Sequence, residues 1–240
     1  MTEMLFRQDA YMREAKGIVR AVTEEGGIVL DQSVFYPTGG GQPGDSGTLG
    51  WDGGEKLDIA TAIKGQDADI VLVPSEPRAL PIVGQEVTQS LDWDRRHRHM
   101  RIHTALHLLS VVIPFPVTGG SISAVRGRLD FDMPEAPEDR DAIDRALAEL
   151  VACDAVVSEE WITEAELDAN PGLVKTLTVQ PPRGAGHIRL VRVGDGVGTI
   201  DLQPCGGTHV ARTGEIGAMR LGKIQKKGQQ NRRVYLILDD

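Results

Sequence analysis

Long apolar runs are missing from this chain: nothing in its 240 residues approaches the ~18–20 consecutive apolar residues of a membrane-spanning helix. Two cysteines, Cys153 and Cys205, are too few for a disulfide framework. The opening MTEMLFRQDAYMREAK has neither the apolar core nor the cleavage site of a secretory leader. These absences predict a cytoplasmic protein with no membrane partner. No internal repeat or low-complexity tract is present, so solenoid and fibrous classes drop out. What remains, 40% hydrophobic and 25% charged, is the make-up of an ordinary globular protein with room for one large or two small cores.

Acidic residues are also absent from Ile216 to Leu238, although the net charge is −9. That overall charge argues against nucleic acid, but distribution matters more than the sum. Arg220, Lys223, Lys226, Lys227, Arg232 and Arg233 lie in the acid-free stretch, and a second basic cluster, RRHRHMR, covers Arg95–Arg101. Two such patches on an acidic body are able to hold a phosphate backbone; a solvated charged face is the plain alternative.

The first ninety residues read as β-rich. GIVRAVTEEGGIVLDQ sets two β-branched runs around a Glu-Gly-Gly turn, and DIATAIKGQDADIVLV repeats the pattern around Gly65–Asp69. The Gly- and Pro-dense FYPTGGGQPGDSGTL between them reads as loop. Short strands at this spacing predict a small barrel, with a boundary near Leu91–Asp94. We therefore expect residues 1–92 to form a barrel-like domain and 93–240 a second domain. In the latter, Ile102, Leu106, Leu109 and Ile113 make one apolar stripe on a helix over 93–113, started by Asp92 or Asp94 and stopped by Pro114 and Pro116. VTGGSIS and VRGRLDFD predict a hairpin, 137–152 a helix burying Ile143, Leu147, Leu150 and Val151, and Thr163 with Glu166 a capping box. Strands follow at HIRLVRVG, GAMRLGKIQKKG and RRVYLILD. The fold class expected is α+β, with an antiparallel sheet packed on helices.

The chemistry concentrates in four residues. RIHTALHLL places His103 and His107 four apart, one turn on the same helix face, and QPCGGTHVA places Cys205 and His209 four apart around a glycine turn. Imidazole and thiolate donors suit zinc, one ion per chain. A HExxH metalloprotease needs Glu directly after the first His, where Thr104 and then Ala105 follow His103, and no CxxC exists for a zinc finger. Four protein ligands make a closed, structural site in ordinary zinc logic; a catalytic site needs one of them loose or a larger coordination number. Both readings stand at this point. Asp201, four residues before Cys205, is either a partner of a ligand imidazole or a surface strand residue. His99 is expected in solvent among its arginines, His187 without a role, and Cys153 in the core beside the second helix. GGGQPG lacks the Lys-Ser/Thr of a phosphate-binding loop.

HTALHLL at 103–109, GRLDFD at 127–132, CGGTHVARTGEIG at 205–217, KKGQQNRRVYL at 226–236 and FYPTGGGQPGDSG at 35–47 appear together and in order. With them the chain resembles the free-standing alanyl-tRNA editing proteins, relatives of the alanyl-tRNA synthetase editing domain, in their longer form with an N-terminal domain. The resemblance implies deacylation in trans of tRNA for alanine mischarged with serine, and in the longer members also glycine. It gives the metal role to His103, His107, Cys205 and His209. It implies contact of Thr118 with the seryl hydroxyl, and a pocket-bordering role for Gly39, Gly40, Gly41, Gln42 and Asp45. Lys223, Lys226, Lys227, Arg232 and Arg233 become candidates for the acceptor-end phosphates of the tRNA partner. No Ser-His-Asp set is evident, so a water nucleophile is expected, with Cys205 as nucleophile the competing idea. A non-catalytic RNA-binding module with structural zinc, and a small-ester hydrolase unrelated to tRNA, are the other classes in play; oligomeric state is not readable from these features.

Overall fold

The computed structural model describes residues 1–177 and 186–239 and divides the chain into two compact units, Met1–His97 and Arg98–Asp240. Among the described residues no helix is long and apolar enough to cross a membrane.

The first unit carries β1 (Glu3–Met4), β2 (Glu14–Val22), β3 (Ile28–Leu30), β4 (Gln32–Ser33), β5 (Gly47–Trp51), β6 (Glu55–Lys64), β7 (Ile70–Pro74) and β8 (Glu86–Leu91). Six of them close a barrel in the order β2-β3-β7-β6-β5-β8, every pairing antiparallel. Both expected hairpins form, β2 with β3 and β6 with β7. Period-two alternation sends Val19, Leu30, Leu49, Leu57, Ile59, Leu72 and Val87 inward as the core. Closure leaves none of these six strands with an unpaired edge.

The loop expectation needs one correction, since Gly47–Leu49 already belong to β5. Gly47 is required there: a Cβ would lie 2.2 Å from the Ser90 carbonyl oxygen on the neighbouring strand. Earlier in the segment, Gly39 and Gln42 exchange two backbone hydrogen bonds of 3.0 Å across Gly40 and Gly41. Both central residues have positive φ, 58° and 81°, as a tight mirror-image turn demands.

The second unit contains most of α1 (Trp93–Val112), whose first turn belongs to the first unit. Asp92 starts the helix by accepting the Arg95 amide at 3.2 Å. The apolar stripe is broader than its spacing suggests, because Met100, Ala105 and Leu108 are as buried as Ile102 and Leu109. Next come β9 (Val117–Ile122), β10 (Arg126–Asp132), α2 (Arg140–Ala152), β11 (Val157–Thr163), α3 (Glu164–Ala169), β12 (His187–Val193), β13 (Asp201–Pro204), β14 (Met219–Lys226) and β15 (Asn231–Leu238). One antiparallel sheet runs β14-β15-β10-β9 and a second β11-β12-β13. Gly127 on β10 lets the first sheet close onto α1, since a Cβ there would meet Ile102 at 2.5 Å. The architecture is α+β with antiparallel sheets and an N-terminal barrel, as the sequence predicts.

Local signals elsewhere hold with small shifts. Helix α2 starts three residues after Pro137, capped by Asp139, which accepts the Ala142 amide at 2.8 Å; Ile143 and Leu147 are buried, while Leu150 and Val151 are only half-buried. Thr163 and Glu166 form the reciprocal capping box that starts α3. Cys153 is not in the core: it caps the C-terminus of α2 and is exposed. His99 is not in solvent: it is 1% exposed on α1.

Candidate metal centre

Two elements distant in sequence build the centre. Helix α1 presents His103 and His107 from successive turns, their ring centroids 5.4 Å apart. The turn after β13 brings Cys205 and His209, and the His209 ring lies 4.3 Å from that of His103 and 4.6 Å from that of His107. One donor atom from each of the four residues lies within 4.8 Å of the other three, so the group is able to hold a metal ion. The Cys205 Sγ is 3.4 Å from His103 Nε2 and 3.3 Å from His209 Nε2. A tetrahedron with Zn–N near 2.05 Å and Zn–S near 2.3 Å has donor–donor edges of about 3.4–3.6 Å. The donor set and these two edges fit zinc.

Hydrogen bonds behind the donors fix their orientation. The Nδ1 of His107 is 2.9 Å from Asp201 Oδ2, which turns Nε2 toward the cluster. The Nδ1 of His209 is 3.1 Å from Thr104 Oγ1, and that oxygen also accepts the Val210 amide at 3.3 Å. The Gly207 amide donates to Cys205 Sγ at 3.4 Å. Arg189 donates to the carbonyls of Cys205 (2.6 Å) and Gly207 (3.0 Å) and is itself gripped by Glu159, which pins the Cys-Gly-Gly turn.

Asp201 is therefore no surface residue. It is 2% exposed and receives Lys175 Nζ at 2.5 Å and Gln203 Nε2 at 2.7 Å as well as the imidazole. Lys175, Gln203, Thr104 and Arg189 are functional-site neighbours that motif reading passes over. A period-two signal exists for part of the set: Asp201, Gln203 and Cys205 alternate along β13 and its extension and share one face.

The electrostatics follow from that wiring. Burial works against charge on His107, but its bond to Asp201 and the nearby Cys205 outweigh it and push the imidazole up to about 9. Burial and the neighbouring His103 push His209 down to about 3. Burial opposes ionisation of Cys205, yet His103 and His209 hold the thiol well below its ordinary value. Burial likewise opposes ionisation of Asp201, and His107 and Lys175 keep its carboxyl below the usual carboxylate range. A thiolate and a neutral imidazole are the forms a divalent cation binds.

The other candidate residues have surroundings of their own. Thr118 on β9 donates to the Asp130 carbonyl at 3.0 Å and accepts from Asn231 at 2.7 Å. Asp45 is 1% exposed; Arg96, with no exposed surface, donates Nε to both its carboxylate oxygens and is joined by a very short second contact, while the Tyr36 amide donates at 2.6 Å. That carboxylate holds the loop to its own unit. Gln42 is also buried, whereas Gly40 and Gly41 lie at the tip of the turn, both exposed. Of the basic candidates, Lys223, Lys226 and Lys227 are exposed on the β14–β15 hairpin. Arg232 is 8% exposed and donates to the carbonyls of Gly228 and Asn231, each at 3.0 Å, and Arg233 pairs with Asp130 at 2.7 Å. The 95–101 cluster is also largely spoken for, with Arg95 on the Gly44 carbonyl, Arg96 on Asp45 and Arg101 on the Ile216 carbonyl.

A barrel unit followed by an α+β unit with a buried His-His-Cys-His centre defines a class that comparison with known proteins makes specific. Residues 188–235 match the family described as threonyl and alanyl tRNA synthetase second additional domain, and residues 6–95 match class II (A) tRNA synthetases. An alanyl-tRNA editing protein AlaX-M of Methanosarcina acetivorans is 34% identical, covering 100% of both chains. Another from Saccharolobus solfataricus is 33% identical, over 98% of each. An alanine–tRNA ligase of Pyrobaculum calidifontis is 34% identical over 94% of this chain, which corresponds to 25% of the ligase. The chain belongs to the alanyl-tRNA editing protein AlaX-M family.

Proposed function

We propose that the protein is a trans-editing hydrolase that releases serine, and also glycine, from mischarged tRNA for alanine, using one zinc ion held by His103, His107, Cys205 and His209. The observation that carries this reading is the convergence of three imidazoles and a thiolate in a chain that aligns end to end with alanyl-tRNA editing proteins. In this reading residues 1–92 form the accessory barrel domain and 93–240 the editing domain.

Zinc, when bound, supplies Lewis acidity for an ester carbonyl or a water. The chain's own residues do the rest. Asp201 keeps the His107 Nδ1 proton in place, and Thr104 does the same for His209. The Gly207 amide and Arg189 hold Cys205 as a ligand, which leaves water as the nucleophile. Lys223, Lys226 and Lys227 are placed for backbone phosphates, with Arg232 and Arg233 shaping the hairpin that carries them. The roles of Thr118 toward the seryl hydroxyl, and of Gly39–Gln42 at the pocket, rest on family resemblance. Asp45 is left a structural one.

A structural zinc in a non-catalytic RNA-binding module is favoured by one observation, the 6–7% exposure of all three histidines. Multiple-turnover release of serine from mischarged tRNA separates the two readings. We expect turnover by the wild type and its loss in His103→Ala and Cys205→Ala with the circular dichroism unchanged. No release by the wild type, with both variants unfolded, would leave the structural reading. A small-ester hydrolase would instead show activity indifferent to salt.

A further inference from the structure

We propose that Trp161 is a stacking platform for the terminal base of the nucleic-acid substrate, beside the metal centre; the proposal rests on the tRNA reading above. The register of the three-stranded sheet makes the case. Trp161 on β11 pairs with Arg189 on β12. The next position across is Cys205, whose amide donates to the Arg189 carbonyl at 3.2 Å, one step beyond the Leu190–Pro204 pair. Paired residues share a face, so Trp161, Arg189 and Cys205 form one row.

That face opens along its edge strand, β11. On β12 and β13 its other rows hold Val193 beside Asp201 and Val191 beside Gln203, all 8% exposed or less, while on the edge strand β11 Val157 is half-buried and Glu159 exposed. In the next row, one inside the Thr163–His187 pair, Cys205 is half-buried, Gly206 after it is exposed, and Trp161 is 51% exposed. The open edge level with Cys205 therefore carries the indole. Two interstrand spacings separate the Cys205 and Trp161 backbones by about 10 Å, the reach of one nucleoside with its ester.

The ring has no aromatic or cationic partner among the described residues, unlike Trp93 and Tyr235, which both carry cations. Glu159, its neighbour on the same strand face, is neutralised by Arg189. An uncharged flat surface beside a reactive centre suits a base rather than a phosphate.

The test uses the full-length chain with zinc added. With mischarged tRNA, Trp161→Ala should raise KM about tenfold or more, the range seen when a base loses its aromatic platform, with kcat little changed; Trp161→Phe should stay close to wild type. Zinc affinity should be the same in all three. Independently, the trinucleotide cytidyl-cytidyl-adenosine should quench tryptophan fluorescence of the wild type and not of Trp161→Phe, where Trp51 and Trp93 remain. An unchanged KM in Trp161→Ala, or a quench that survives in Trp161→Phe, overturns the proposal. So does a Trp161→Ala variant that passes from oligomer to monomer without losing the quench, which would make the ring a contact between copies. A wild type that hydrolyses nothing refutes the functional reading, while the quench still decides the platform.

Discussion

Replacing Asp201 by Asn probes how far the residues behind the metal ligands set the affinity of the centre. The carboxylate is 2% exposed and accepts three donors, His107 Nδ1 at 2.9 Å, Lys175 Nζ at 2.5 Å and Gln203 Nε2 at 2.7 Å. Asparagine keeps the volume but loses the charge that makes the bond to the imidazole strong. A charge-assisted bond contributes ~1.5–3 kcal/mol, and removing a metal ligand's partner weakens affinity ~10- to 100-fold, so the two scales agree. Folding should suffer less, by roughly 1 kcal/mol, because the orphaned Lys175 side chain is 27% exposed and can turn to water. The assay is competition for zinc between the protein and a chromophoric chelator near neutral pH, with a thermal melt of the same sample. Zinc affinity within about twofold of wild type would refute the claim that Asp201 orients His107. Affinity lost together with most of the folded signal would refute it too, by making the effect one of stability.

Breaking the buried Asp45–Arg96 pair with Asp45→Ala should destabilise the chain by ~3–5 kcal/mol, because a guanidinium with no exposed surface is left uncompensated; chemical denaturation followed by circular dichroism measures this. Lys226→Ala and Lys227→Ala should weaken tRNA binding uniformly and each lower the slope of log K against log salt by about 1, read by filter binding at several salt concentrations. Arg232→Ala should instead lower stability, since its side chain bonds carbonyls of the hairpin turn rather than facing solvent. For Asp130, burial resists charge, but Arg233 and Arg128 hold the carboxyl below its ordinary 3.8. A depressed folded pKa gives stability that is present above the unfolded value and lost as pH falls through the folded one. Asp130→Asn should therefore flatten the stability–pH curve below about pH 4, seen as a smaller gap between melts at pH 3 and pH 6.

Much of the fold is written locally. The ends of α1 and α3 are legible because Asp92 and the Thr163–Glu166 box act within three residues of themselves. The barrel hairpins are legible because their turns are short and their strands β-branched. Strands β11 and β13 escape because their alternation is masked. On β11, Glu159 and Glu160 face opposite sides yet both meet arginines of β12, and β13 is a four-residue run ending in proline. His99 and Arg96 look like solvent residues because the arginines around them are visible and their packing is not; Asp45, the partner of Arg96, lies fifty-one residues away. The donor pairs are each local, but the meeting of α1 with the Cys-Gly-Gly-Thr-His turn spans about a hundred residues. Spacing says nothing about it. The family resemblance does, and the structure adds the Asp201–Lys175 and Arg189–Glu159 supports that no motif names.

The central claim, that this His-His-Cys-His centre serves ester hydrolysis on tRNA, meets its most direct test in one measurement. Serine release from mischarged alanine tRNA is followed over many turnovers, first with the protein stripped of metal by chelation, then with one equivalent of zinc restored. The account predicts loss of turnover on stripping, with the fold retained, and recovery on adding zinc. Turnover that persists unchanged in the stripped, folded protein would contradict it.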